Sequence, residues 1–263
     1  MIKKILIFLL FTNILFSLPR FSVQNGSTCI ACHINPTGSG MRNDYGSNIV
    51  ALEELPMNRW LKSGNDNWDG YINDLLQIGG DFRIQGISYS NSDSTSKSAI
   101  FPMQADLYGN LELNKNTSIY TKLGVLGSNN ISIDYWILME KLPHDAWLKV
   151  GRTLPNFGLQ IDDHTSFYRG GNTNRTKQAL ETEGMIFNPF LDSPILVEFG
   201  FPITDNVTWT TSTGTPLIDN SEEIGNFTTH FNYTKSTTIY NYFTGLSYMK
   251  EKNLSLTEFN GGL

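Results

Sequence analysis

A chain of 263 residues with 25 acidic and 19 basic side chains, net −6, offers no basic surface for nucleic acid. Charged residues are only 17% of the total, yet beyond the first twenty residues no stretch approaches the ~20 apolar residues of a membrane-spanning helix. Abundant Asn, Ser, Thr, Tyr, Phe and Gly favour strands and turns over a helical bundle.

The chain opens Met1-Ile2-Lys3-Lys4 and runs apolar from Ile5 to Phe16, interrupted only by Thr12 and Asn13. A basic start, a short apolar run and a small residue at Ser17 describe an export signal over residues 1–17 rather than an anchor. Its removal takes away Lys3 and Lys4 and leaves a more acidic exported chain.

Cys29-Ile30-Ala31-Cys32-His33 holds the only two cysteines, with a histidine directly behind them. This spacing predicts covalent attachment of one c-type haem. The two thiols reach the two vinyl groups of the ring, and His33 comes to the iron as proximal ligand. A redox dithiol would need a βαβ context, which is not visible here. A zinc site of this type usually needs a second Cys/His pair, and there is no third cysteine.

Residues 18–75 read as a monohaem, cytochrome c-like segment and linker. Turn formers crowd residues 35–46, and a small helix is expected from Asn48 to Leu55, with Asn48 as its cap and Pro56 ending it. Trp60, Trp68 and Tyr71 mark a linker or a second short helix.

From about Leu76, period-two alternation takes over. Over residues 104–113, Ala105, Leu107, Gly109, Leu111 and Leu113 share one face, and Gln104, Asp106, Tyr108, Asn110 and Glu112 share the other. After a turn at Asn114-Lys115-Asn116 come Ile119, Leu123 and Val125, then Ile131, Ile133, Tyr135, Ile137 and Met139 against Ser132, Asp134 and Glu140. Leu148 and Val150 fit a short strand; Ile195, Val197, Phe199 and Phe201 another, with Glu198 opposite. Phe227, Phe231 and Tyr233 alternate with His230 and Asn232. Tyr240, Tyr242, Leu246 and Tyr248 precede a turn at 250–253 and a last run from Leu254.

The pattern gives roughly eleven strands of about eight to twelve residues. The expected fold is mainly β: the haem segment with short helices, then an antiparallel outer-membrane β-barrel over residues 76–263. Leu107, Leu111, Ile133, Ile137, Val197 and Phe199 would face lipid, while Asp106, Asn110, Asp134 and Glu198 would face the lumen. A large soluble β-sandwich is the alternative. An odd strand count, and a final Leu263 where such barrels tend to end on Phe, point to a miscounted strand or an incomplete barrel.

Between Gly151 and Gly171 the alternation lapses and Arg152, Asp162, Asp163, His164 and Arg169 gather. This segment could fold into the lumen and present His164 as distal iron ligand, oriented by a neighbouring carboxylate. Its plainer role is a charged constriction loop. Met41 is the rival distal ligand, separated from His33 by seven residues, with just enough chain to pass around the ring. Arg42 is placed to pair with a haem propionate. His230, on a polar strand face, and His144, after Pro143 at a turn, read as lumenal or exposed residues rather than ligands.

The segment Cys29-Ile30-Ala31-Cys32-His33-Ile34-Asn35-Pro36-Thr37-Gly38-Ser39-Gly40-Met41-Arg42-Asn43-Asp44-Tyr45-Gly46, followed by amphipathic strands, resembles the fused monohaem cytochrome–porins of bacterial outer membranes, known from iron oxidisers. The resemblance is specific over these residues and architectural beyond them. It implies Cys29 and Cys32 as thioether attachments and His33 as proximal ligand of one haem c. It implies no particular distal ligand, and this chain is shorter than the family's barrels.

The function expected is electron transfer at the outer membrane between a periplasmic cytochrome or other redox protein and an extracellular partner such as iron. That makes the chain an electron carrier, at most an iron-oxidising oxidoreductase, with outer-membrane lipid as its surroundings. The competing expectations are a soluble periplasmic haem protein acting as shuttle, sensor or peroxidase, and a porin whose haem is structural. A peroxidase would need an open distal position with an acid–base group beside it, a role into which His164 could be recast.

Overall fold

The structure is a computed structural model of the whole chain. It describes residues 27–54, 70–90, 96–126, 130–158, 193–216, 224–251 and 254–262. The signal expected at 1–17, the linker through Trp60 and Trp68, and His164 with Asp162, Asp163 and Arg169 lie outside these residues.

The protein is mainly β. Among the described residues ten strands follow one another in a single antiparallel meander: β1 (Leu76–Ser90), β2 (Ser96–Asn114), β3 (Thr117–Leu126), β4 (Asn130–Leu142), β5 (Ala146–Arg152), β6 (Ile195–Thr204), β7 (Val207–Gly214), β8 (Asn226–Ser236), β9 (Asn241–Glu251) and β10 (Leu254–Gly262). Each strand pairs with its neighbours in sequence, and among the described residues β1 and β10 are not paired to each other. Roughly eleven were expected over the whole of residues 76–263. β9 runs through the residues expected to start the last turn and ends at Glu251. β7, Val-Thr-Trp-Thr-Thr-Ser-Thr-Gly, escaped the periodicity because its inward Thr210 and Ser212 and its outward Thr211 and Thr213 are nearly alike in polarity.

The two ends of the sheet differ. Asn114 to Thr117, Thr204 to Val207 and Ser236 to Asn241 are short reversals, and β4 returns into β5 through one 3₁₀ turn, Pro143–Asp145. The other end carries the long connection from Arg152 to Ile195. Residues 153–158, its first part, turn back under the sheet: Thr153, Pro155, Asn156, Phe157 and Gly158 are all buried.

The faces are inverted relative to a water-soluble sandwich. On β4, Ile133, Tyr135 and Ile137 are exposed, and Asp134, Trp136 and Leu138 are buried. Exposed Ile195 and Val197 flank buried Glu198 on β6, and exposed Phe227 and Phe231 flank buried Thr228 and His230 on β8. Leu107 is exposed beside buried Asp106 and Asn110, while Leu111 and Phe199 are half-buried. The four acidic or amide residues assigned to the inner face from the alternation are all buried there. A sandwich would bury its aliphatic face and wet the polar one; this sheet does the reverse.

Aromatic rings gather on the outer face towards the short-turn end. Phe201 and Trp209 meet edge to face at 5.4 Å, Trp209 and Phe231 stack at 6.2 Å, and Tyr233 and Tyr242 lie 5.5 Å apart. On the inner face the packing centre is Met41, Tyr108, Tyr120, Trp136, Leu138 and Trp147. Tyr120 and Trp136, register partners on β3 and β4, stack with centroids 4.4 Å apart and planes 12° from parallel.

Candidate functional site: a cavity behind the Cys-Ile-Ala-Cys-His segment

Residues 27–54 fold into a compact unit under the inner face. Cys29–Ala31 form one 3₁₀ turn, and the amides of Cys32 and His33 both donate to the Cys29 carbonyl. The chain then makes a small hairpin: Ile34 N–H donates to Met41 O, His33 bridges Arg42, and Asn43 N–H donates to Cys32 O. Asn35 closes the loop, its side-chain amide donating to Gly38 O at 2.7 Å. Beyond the hairpin a helix of wide, π-type turns runs Tyr45–Glu54. Its cap is Asn43, whose Oδ1 accepts from Gly46 N–H at 3.0 Å, so the helix starts earlier than the expected Asn48. Gly46 packs so close to the Cys32 backbone that any Cβ would collide with it, which fixes the helix against the cysteine motif.

Two contacts seat this unit on the sheet. Tyr120 Oη accepts from Met41 N–H at 3.3 Å, with the Met41 side chain buried in the aromatic cluster. Asn35 Oδ1 accepts from Lys149 Nζ at 3.0 Å. Lys149 in turn pairs with Glu198 at 2.5 Å and stands 5.8 Å from the Trp136 ring centroid and 5.7 Å from that of Trp147. Glu198 Oε2 also accepts from Asn156 N–H at 2.8 Å, tying down the returning residues 153–158.

Between the unit and the sheet lies a cavity of about 490 Å³, within the usual range for a cofactor site. Cys29, Cys32, His33 and Arg42 border it from the segment, and Trp147, Thr210, His230 and Phe243 border it from β5, β7, β8 and β9. Asp145, Pro202 and Asp205 place it towards the short-turn end. Neither cysteine is in a disulfide. Burial, then the neighbouring Cys32, pushes the Cys29 thiol up to about 11. His33 is held below its ordinary value by burial first and the Arg42 guanidinium second, against the opposing effect of backbone groups at Gly40, Met41 and Ser39. Its Nδ1 is buried and has no hydrogen-bond partner among the described residues.

All four residues assigned to the cofactor from the sequence, Cys29, Cys32, His33 and Arg42, thus meet at one cavity. Met41 does not border it, being turned into the aromatic cluster. His144 is exposed in the β4–β5 turn. His230, read from the sequence as a bystander, lines the cavity, buried at 4% exposure. The alternation already put it on the inner face; only the fold puts it level with the cysteines. Lys149 and Asn35 were likewise missed, being 114 positions apart.

Among the described residues no cluster of three or more His, Cys, Asp or Glu could hold a bare metal ion. What borders the one void is two thiols, an imidazole whose Nδ1 has no hydrogen-bond partner among the described residues, a guanidinium and a second imidazole. Comparison with family models, curated proteins and solved structures gave no match, so the reading of this site rests on its own geometry.

Proposed function

We propose that this chain is a monohaem electron carrier of the bacterial outer membrane, built as a barrel around its own haem-bearing segment. The carrying observation is a cavity bordered by Cys29, Cys32 and His33 on the inner side of a sheet whose outer side is apolar. Sequential antiparallel strands, short turns at one end, an outer aromatic ribbon and a polar inner face are the features of such barrels; here β1 would close onto β10. Short turns lie on the periplasmic side in these proteins, which would put the cavity near the periplasm and within reach of a periplasmic cytochrome.

The Cys29 and Cys32 thiols would add across the two vinyl groups of the ring, S–H over C=C, with no oxidant consumed. His33 would give the proximal nitrogen, and Arg42 would pair with a propionate. Bound there, the haem supplies a one-electron couple whose potential follows from its ligands and burial. The apolar band of such a barrel is ~25 Å tall and insulating, so a centre inside it shortens the path to an extracellular partner such as iron. The inverted faces favour this reading over a soluble shuttle, sensor or peroxidase. The segment seated under the sheet favours it over an open porin with a structural haem.

The test is the detergent-solubilised membrane fraction of cells expressing the full chain with a cytochrome c maturation system. Expected are a haem-stained band at this chain's mass on a denaturing gel and a reversible c-type spectrum that titrates with a mediator. A stain-free band, or full recovery in the soluble fraction without detergent, overturns the proposal.

A further inference from the structure

We infer that His230 of β8 is the iron's second axial ligand, so that the haem is held covalently by the N-terminal segment and coordinately by the barrel wall. This rests on the reading above that the cysteine motif carries haem. His33 and His230 border one cavity from different bodies of structure, the first from the segment and the second from the sheet.

The surroundings of His230 are those of a ligating imidazole. Metal-binding histidines usually have their second ring nitrogen fixed by a hydrogen bond, which sets tautomer and ring direction. Here Nδ1 lies 2.6 Å from Ser247 Oγ, and Ser247 is itself fixed by accepting from Gly158 N–H at 2.9 Å. With Nδ1–H donating to Ser247, Nε2 carries the free lone pair, and among the described residues it has no hydrogen-bond partner. The ring is buried, and its hydrogen-bond partner on β9 is held in turn by Gly158. A residue present only to polarise a wet lumen has no need of that support. Met41 is engaged in the aromatic cluster and His144 stands in a surface turn, so neither competes.

The assignment predicts a bis-imidazole iron, with a lower potential than a Met/His pair would give. Low-temperature paramagnetic resonance and near-infrared magnetic circular dichroism of the haem-loaded full chain in detergent decide it, beside a haem-stained gel. The wild type should show a low-spin bis-imidazole signature. His230→Gly should keep the gel stain, lose that signature completely and regain it with added imidazole. His230→Met tests the same position with a ligand that preserves bulk, and should convert the signal to a thioether–imidazole one. Met41→Ala and His164→Ala should leave it unchanged. A bis-imidazole signal that survives His230→Gly or vanishes in His164→Ala overturns the inference, as does a wild-type Met/His signal lost in Met41→Ala. Absence of stain in the wild type is a separate result: it defeats the haem reading itself.

Discussion

Lys149 and Glu198 face each other across the β5–β6 pairing with Nζ and Oε1 2.5 Å apart, and neither side chain retains any exposed surface. The pair is also the dock for the N-terminal segment, through Asn35, and for the returning loop, through Asn156. Removing one member of a buried pair leaves an uncompensated charge, which costs about 3–5 kcal/mol, whereas replacing both with apolar groups is often near neutral. Lys149→Met should therefore lower the unfolding temperature in detergent sharply, and Lys149→Met with Glu198→Leu should restore much of it. Equal loss in the single and double variants would show that the contacts to Asn35 and Asn156 matter more than the charge.

If the chain carries haem as proposed, Cys29→Ala or Cys32→Ala should weaken haem retention on a denaturing gel, and the double change should abolish it, because each thiol would supply one of two thioethers. An undiminished band in the double variant would defeat the covalent assignment.

The outer face gives a sharper test of environment. Ile137 is 45% exposed in mid-strand. In lipid, Arg there should cost ~2–4 kcal/mol, falling to ~0–1 kcal/mol near the rim, where Leu113 sits at the end of β2. In water either change would stay within about 0.5 kcal/mol. Folding titrations of Ile137→Arg and Leu113→Arg in lipid vesicles distinguish the two, and indifference at Ile137 would argue for a soluble sheet.

Gly38 has a φ of +93° and lies against Cys29, where an added Cβ would come 3.1 Å from its Sγ. Gly38→Ala therefore strains the backbone by ~1–2 kcal/mol and displaces the thiol. Haem bound per polypeptide should fall below wild type, while Gly86→Ala, with open space around it, should match wild type. Equal loading in all three would mean that the Gly38 turn does not set the thiol's position.

What could be read in advance was local. Alternation at Ile133-Asp134-Tyr135 or Val197-Glu198-Phe199 separates the two faces because successive strand residues point opposite ways, and the Cys-Ile-Ala-Cys-His spacing is contained in five residues. The rest depends on distance across the fold. Nothing near Thr229-His230-Phe231 says that this imidazole stands level with Cys29 rather than at another height on the wall. Likewise, nothing near Lys149 announces that its partners are Glu198 and Asn35. The helix cap was misassigned between two asparagines, Asn43 and Asn48, because the hairpin that stops at Asn43 is itself a non-local pairing with Cys32.

Ser27 and Phe243 both border the cavity, and this imposes an order of assembly. Every hairpin of the meander joins neighbours in sequence and can form as soon as its two strands exist. The pocket has a far higher contact order, since it is complete only once β9 is laid beside β8. On the proposed reading, a haem attached at Cys29 and Cys32 before β9 pairs with β8 would be enclosed by those walls as they form.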